Sequence, residues 1–88
     1  MAIWEPLPGM EDASVETIRE LNAIVAKKQY GRNLFYRSGN EYVLLRYWKS
    51  EEARKAAVED AELLRCGARL ANEIKIAKVY EKLEEIGA

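Results

Sequence analysis

One short segment concentrates the side chains able to do chemistry: Tyr42, Arg46, Tyr47 and Trp48 lie between Glu41 and Trp48, with Tyr36 and Arg37 just ahead. A guanidinium among aromatic rings can hold the deprotonated form of a planar substrate, and a wall of rings can keep water from a carbanion. Side chains alternate along a strand, so Tyr42, Leu44, Arg46 and Trp48 share one face while Val43, Leu45 and Tyr47 share the other. Arg46 therefore supplies the positive charge of a candidate catalytic site, with Trp48 and Tyr42 as its aromatic wall. The competing reading is structural: Trp48 anchors a helix on the sheet and Arg46 pairs with a carboxylate.

Other chemistries are excluded by what the chain lacks. It contains no histidine, which removes Ser-His and Cys-His nucleophiles and most groups that exchange protons near neutrality. Gly9, Gly31, Gly39, Gly67 and Gly87 are isolated, so no phosphate-cradling loop is present. Cys66 is the single cysteine; with no CxxC pair and no metal-ligand cluster, neither a disulfide framework, a metal nor a cofactor is expected, and a reducing cytoplasmic home is the default. The acidic pairs Glu51-Glu52, Glu59-Asp60 and Glu84-Glu85 read as solvated faces. Asn33, Asn40 and Asn72 fall at strand starts or turns, where asparagine serves the backbone.

Eighty-eight residues make one domain, 1–88, whose thin core would gain from a second subunit. Basic and acidic residues, 14 against 15, are interspersed, which leaves no footprint for nucleic acid or a membrane surface. No stretch approaches the roughly 20 apolar residues of a bilayer span, and the start carries no basic leader with an apolar signal run.

The elements that must position the candidate site follow from pattern. Ala2-Ile3-Trp4 reads as a short strand halted by Pro6 and Pro8, with Trp4 directed to the core or an interface. Asp12 or Ser14 can cap a helix from Ala13 to Gln29, its apolar stripe being Val15, Ile18, Leu21 and Val25, and Gly31 ends it. Arg32–Arg37 and Glu41–Trp48 flank Ser38-Gly39-Asn40 and predict a β-hairpin. Ser50 caps an alanine-rich stretch that reads as one long helix or as two short ones broken near Gly67. From Glu73 to Ile86 the spacing suits a helix slightly better, while Ile74, Ile76 and Tyr80 on one parity suit a strand.

Both faces of Tyr42–Trp48 are largely apolar, yet helices cover only one face of such a sheet. A second copy packed sheet to sheet is the economical cover, so a homodimer is expected.

Three segments carry a resemblance: the Pro-Gly turn opening the first helix (LPGMEDASVETIREL, Leu7–Leu21), the strand ending in aromatic-Trp-x-Ser (EYVLLRYWKSEEA, Glu41–Ala53), and the alanine-rich helix after it. Together they resemble the antibiotic-biosynthesis-monooxygenase-like family of dimeric α/β barrels. The resemblance implies an α+β, ferredoxin-like β-α-β-β-α-β fold with an antiparallel sheet and a fourth strand near Ile74–Glu81. It also implies two subunits closing a barrel, each with a small-molecule cleft between sheet and helices. Members include cofactor-free oxygenases of aromatic polyketides or quinols and haem-degrading enzymes. Trp48 matches the tryptophan of the haem branch, but the histidine that branch places on its second helix, here around Arg65–Gly67, is missing. Cys66 reads as a small buried cysteine, the alternative being a substitute thiolate. The implied activity is a cofactor-independent monooxygenase-like one on an aromatic or quinone-like compound; the alternative is a non-catalytic oligomeric ligand-binding or structural module.

Overall fold

The computed structural model describes residues 1–79. Its elements run β1 (Ala2–Pro6), α1 (Glu11–Lys27), β2 (Gly31–Ser38), β3 (Glu41–Trp48), α2 (Glu51–Val58), α3 (Ala61–Ala71) and β4 (Ile74–Val79). The four strands form one antiparallel sheet in the order β2-β3-β1-β4, an α+β arrangement compatible with a ferredoxin-like fold. The fourth strand is thus formed; Tyr80–Glu81, the rest of the expected strand, and the helical pattern beyond it lie outside the described residues.

Short-range chemistry explains most of these boundaries, and it corrects three expectations. First, α1 starts at Glu11, with Met10 at its N-cap position and no side-chain cap. Gly9, at φ +81°, turns the chain early, and Glu11 and Asp12 then complement the helix dipole from inside the first turn. Ser14 donates to the Glu11 carbonyl at 3.0 Å instead of capping. Second, Gln29 takes the left-handed conformation that ends α1, at φ 58°, while Gly31 opens β2. Third, the alanine-rich stretch breaks at Glu59-Asp60, and Gly67 lies inside α3.

That break has a clear cause. Asp60 Oδ1 accepts from the amides of Glu62 and Leu63 at 2.9 and 3.3 Å, which starts a new helix. Its Oδ2 accepts from Lys28 Nζ at 2.7 Å and from the Tyr30 hydroxyl at 2.6 Å. One carboxylate therefore ties the α2–α3 corner to the exit of α1. Lys28 and Tyr30 hold the Asp60 carboxyl well below the usual carboxylate range. A depressed carboxylate pKa contributes stability above the unfolded value and loses it as pH falls, so the loss begins near pH 4 and continues downward. Asp60→Asn is expected to lower Tm at pH 7 and to differ less from the wild type below pH 4; a Tm difference independent of pH would contradict this linkage.

The helices cover the face of the sheet that bears Trp4, Phe35, Tyr42 and Leu44. Trp4 is 1% exposed, and its ring stacks on Tyr42 and Phe35 at centroid distances of 4.9 and 5.7 Å. Ile18 of α1 and Leu70 of α3 close this cluster, while Leu21, Val25 and Cys66 form a second one between the same helices. A polar seam finishes the contact: the buried Thr17 hydroxyl donates to Glu73 Oε1 at 2.6 Å and accepts from Arg69 Nε at 3.0 Å. Arg69 in turn pairs with Glu20. This seam fixes the foot of β4, where the Leu7 amide also donates to the Glu73 carbonyl.

Candidate functional site

The alternation of β3 puts Tyr42, Leu44, Arg46 and Trp48 on the helix side, but the structure divides them. Tyr42 is 4% exposed and lies inside the core, stacked on Phe35 at 5.3 Å with the rings 5° from parallel. Its hydroxyl accepts from Arg37 Nη2 at 3.1 Å, and the same guanidinium lies 5.1 Å from its ring centroid. Tyr42 is therefore a core aromatic whose polar tip is satisfied, and it is not part of a wall around Arg46. Four residues of extended chain, about 13 Å, separate the two.

Arg46 and Trp48 do come together. The Arg46 guanidinium carbon lies 5.4 Å from the Trp48 ring centroid, a cation–π contact at the end of the sheet away from the hairpin turn. Trp48 is half-buried, and two residues later the Ser50 hydroxyl accepts from the Ala53 amide at 3.0 Å and starts α2. Opposite Trp48 stands Gly31, where a Cβ would lie 2.1 Å from the Tyr47 carbonyl oxygen. Only glycine lets the two strands approach this closely beneath the indole.

Arg46 reaches solvent, yet the groups crowding it desolvate the guanidinium and push its pKa down. Among the described residues it joins no ion pair; the pairs formed there are Lys28 with Asp60 and Glu62, Arg54 with Glu51, and Arg69 with Glu20. The carboxylate expected to neutralise it is thus not found in residues 1–79.

Sequence reasoning assigned Asn33 a backbone role at a strand start; it is the third residue of β2 and pairs across the ladder with Arg46. Both its amide atoms are buried without a hydrogen-bond partner among the described residues. Leaving such a group unpaired costs about 1–3 kcal/mol, which makes it a candidate for binding something. The two-residue turn at Gly39-Asn40 sets the ladder, so counting back from Ser38 and Glu41 places Asn33 beside Arg46. With Ser38 read as a turn residue the count slips by one and puts Asn33 opposite Leu45, so neither the pairing nor the burial was legible.

No protein-family model matches the chain, and no curated protein and no solved structure is detectably similar to it.

Elsewhere, three depressions on the helices are open and rimmed by charge. One, of about 840 Å³, runs along α1 beside Arg37 and is lined by Asp12, Val15, Glu16, Arg19 and Glu20 as well. Smaller ones of about 310 and 270 Å³ follow the outer faces of α1 and α3 around Arg69. The smallest reaches Cys66, a free buried cysteine whose thiol pKa is pushed up chiefly by burial. A raised thiol stays protonated at neutral pH, and Cys66 packs as a small apolar residue against Leu21 and Val25. Among the described residues no group of three histidine, cysteine or carboxylate side chains could hold a metal ion, and no helix is long and apolar enough to cross a membrane.

Proposed function

We propose that this chain is a homodimeric small-molecule-binding domain that holds the anionic form of a planar aromatic or quinone-like compound beside Asn33, Arg46 and Trp48. The observation that carries this reading is the Arg46 guanidinium, laid against Trp48 without a carboxylate among the described residues and paired across the ladder with an unpartnered amide. The cation offers charge to a phenolate or enolate oxygen and the indole offers a face for its ring, while the buried Asn33 amide would have to turn outward to add a donor or an acceptor.

In its sharpest form the activity is cofactor-independent oxygenation, as the resemblance in the sequence implies. A methylene between aromatic rings would lose both C–H bonds and gain a C=O bond, with dioxygen supplying that oxygen atom and the other leaving as water. Arg46 and Trp48 contribute charge and shielding from water to such a step. Neither they nor Asn33 is a base near neutrality, so the substrate must be acidic enough to ionise with little help.

A second reading, a binding module without catalysis, is favoured by the filled core at Tyr42, where Trp4 and Phe35 occupy the space that a cleft would need. Titration with a hydroxyanthraquinone and with its methyl ether separates the cases. The ionisable compound is expected to bind and the ether to bind weakly. Arg46→Ala should weaken binding of the former roughly tenfold or more, the worth of one charge-assisted contact. Equal affinity of the variant and the wild type would refute the site. With the corresponding hydroxyanthrone, which still carries the methylene, oxygen consumption in step with quinone formation supports the oxygenase, and binding without it supports the module.

The homodimer rests on the sheet face turned away from the helices. It carries Ile3, Leu34, Val43 and Leu45, half-buried, together with Tyr36 and Tyr47 at 52% and 55% exposure. An apolar surface of this kind marks an interaction site, and an isologous pair is the simplest way to cover it. Sedimentation showing only monomer at tens of micromolar would remove this part of the reading.

A further inference from the structure

The open face of the sheet has an internal order that distinguishes two ways of packing a second copy. Its residues fall in rows across the strands: Arg32 beside Tyr47, Leu34 beside Leu45, Tyr36 beside Val43 and Ile3, and Ser38 beside Glu41. Glu5 shares the face with Ile3, next to the Glu41 row, and pairs with Lys75 of β4. The middle rows are apolar. Arg32 marks one end of the face and Glu41 the other, about 20 Å apart by strand rise. Both are exposed, and neither joins an ion pair among the described residues.

When two identical sheets pack face to face, the twofold axis lies in the plane between them, and its direction decides which rows meet. An axis along the strands lays each row over the same row of the other copy with strand order reversed. Glu41 would then face Glu5 of the partner subunit, two carboxylates with the single cation of Lys75 beside them, and Arg32 would face no carboxylate of its own row. An axis across the strands keeps the strand order and reverses direction. The Arg32 end of one copy then covers the Glu41 end of the other, Leu34 lies over Tyr36 of the partner subunit, and Leu45 lies over Val43 of the partner subunit. Resting on the homodimer reading above, we propose that the partner is a second copy of this chain packed about an axis across the strands, with Arg32 paired to Glu41 of the partner subunit at both ends.

The dimensions permit it. Packed sheets stand about 10 Å apart and neighbouring strands about 4.8 Å, so an extended arginine facing Ser38 of the partner subunit reaches the adjacent strand. Each contact occurs twice, because a twofold interface is self-complementary.

The test is the dimer dissociation constant by analytical ultracentrifugation for the wild type, Arg32→Glu, Glu41→Arg, and an equimolar mixture of the two variants. Each variant alone places like charges at both ends and is expected to weaken dimerisation roughly tenfold. The mixture forms a heterodimer in which one pair is native and the other reversed in sign, so its affinity should return to within about threefold of the wild type. Residues 20 Å apart in one subunit cannot compensate each other internally, and a misfolded variant would not regain affinity on mixing. A dimeric wild type whose variants dimerise unchanged, or whose mixture is no tighter than the variants alone, overturns the axis and leaves the homodimer standing. A monomeric wild type overturns both.

Discussion

Trp4→Ala is expected to cost about 3–5 kcal/mol, the range for removing a large buried aromatic from a packed interior. Domains of this size are held by about 5–15 kcal/mol at most, so the variant should be largely unfolded at 37 °C. The size of the effect follows from position. Trp4 belongs to a central strand, pairs with both Tyr42 of β3 and Ile76 of β4, and stacks on two rings at once. Its loss opens a cavity under both α1 and α3, because Ile18 and Leu70 seal the same cluster. Trp4→Phe keeps a stacking partner and should cost much less. Urea titration by circular dichroism checks both; a Trp4→Ala midpoint within 1 kcal/mol of the wild type would mean the stack is not a core.

Gly31→Ala should be nearly as damaging, for a different reason. The backbone here does not need a left-handed residue; it needs room. An added Cβ would lie 2.1 Å from the Tyr47 carbonyl oxygen and 2.9 Å from the Trp48 Cα, both main-chain atoms of the neighbouring strand. Neither can move without parting the ladder where Arg46 and Trp48 sit. A loss of roughly 3 kcal/mol or more is expected, with the end of the hairpin opening first. Hydrogen exchange of the amides of β2 and β3 reads this directly, since faster exchange should begin at Gly31–Asn33 and Arg46–Trp48 and fade toward the turn. At Gly39 the order of causes is reversed: a Cβ meets nothing within 4 Å, and the penalty comes from φ +60°.

Much of the architecture was legible in the residues because it depends on near neighbours. The hairpin follows from two apolar runs around Ser38-Gly39-Asn40, with Ser38 drawn into β2 and the turn shortened to Gly39-Asn40, and the bounds of β3 agree with the sequence expectation. Val15, Ile18, Leu21 and Val25 mark the inner stripe of α1, and Ser50 caps α2 as its type and place suggested. The fourth strand was expected from a resemblance against a slightly helical spacing, and it forms from Ile74 to Val79. Pairing with β1 overrides the local period there.

Chain ends of helices were less legible, since Met10, Gln29 and Asp60 act through backbone geometry or distant partners. Asp60 reads in the sequence as half of a solvated acidic pair, yet its side chain is buried, and Lys28 and Tyr30, thirty or so residues away, make it the corner of the molecule. A cap can be guessed from a residue type, whereas a cap that also receives two remote donors exists only once the chain has folded.

The candidate site shows the same division. Composition alone removed histidine chemistry, and strand alternation alone put Arg46 and Trp48 on one face and Val43, Leu45 and Tyr47 on the other. Which of the two apolar faces the helices would cover was not in the alternation, because both read equally apolar. Tertiary packing decided that Tyr42 is filled in by Trp4 and Phe35, that Arg46 lies at the sheet's end within reach of solvent, and that the Asn33 amide is buried without a partner among the described residues. The reason is one of range. Period, turn and cap preferences act over a few residues of chain, while burial and the pairing of a polar group depend on the atoms that other elements bring to it.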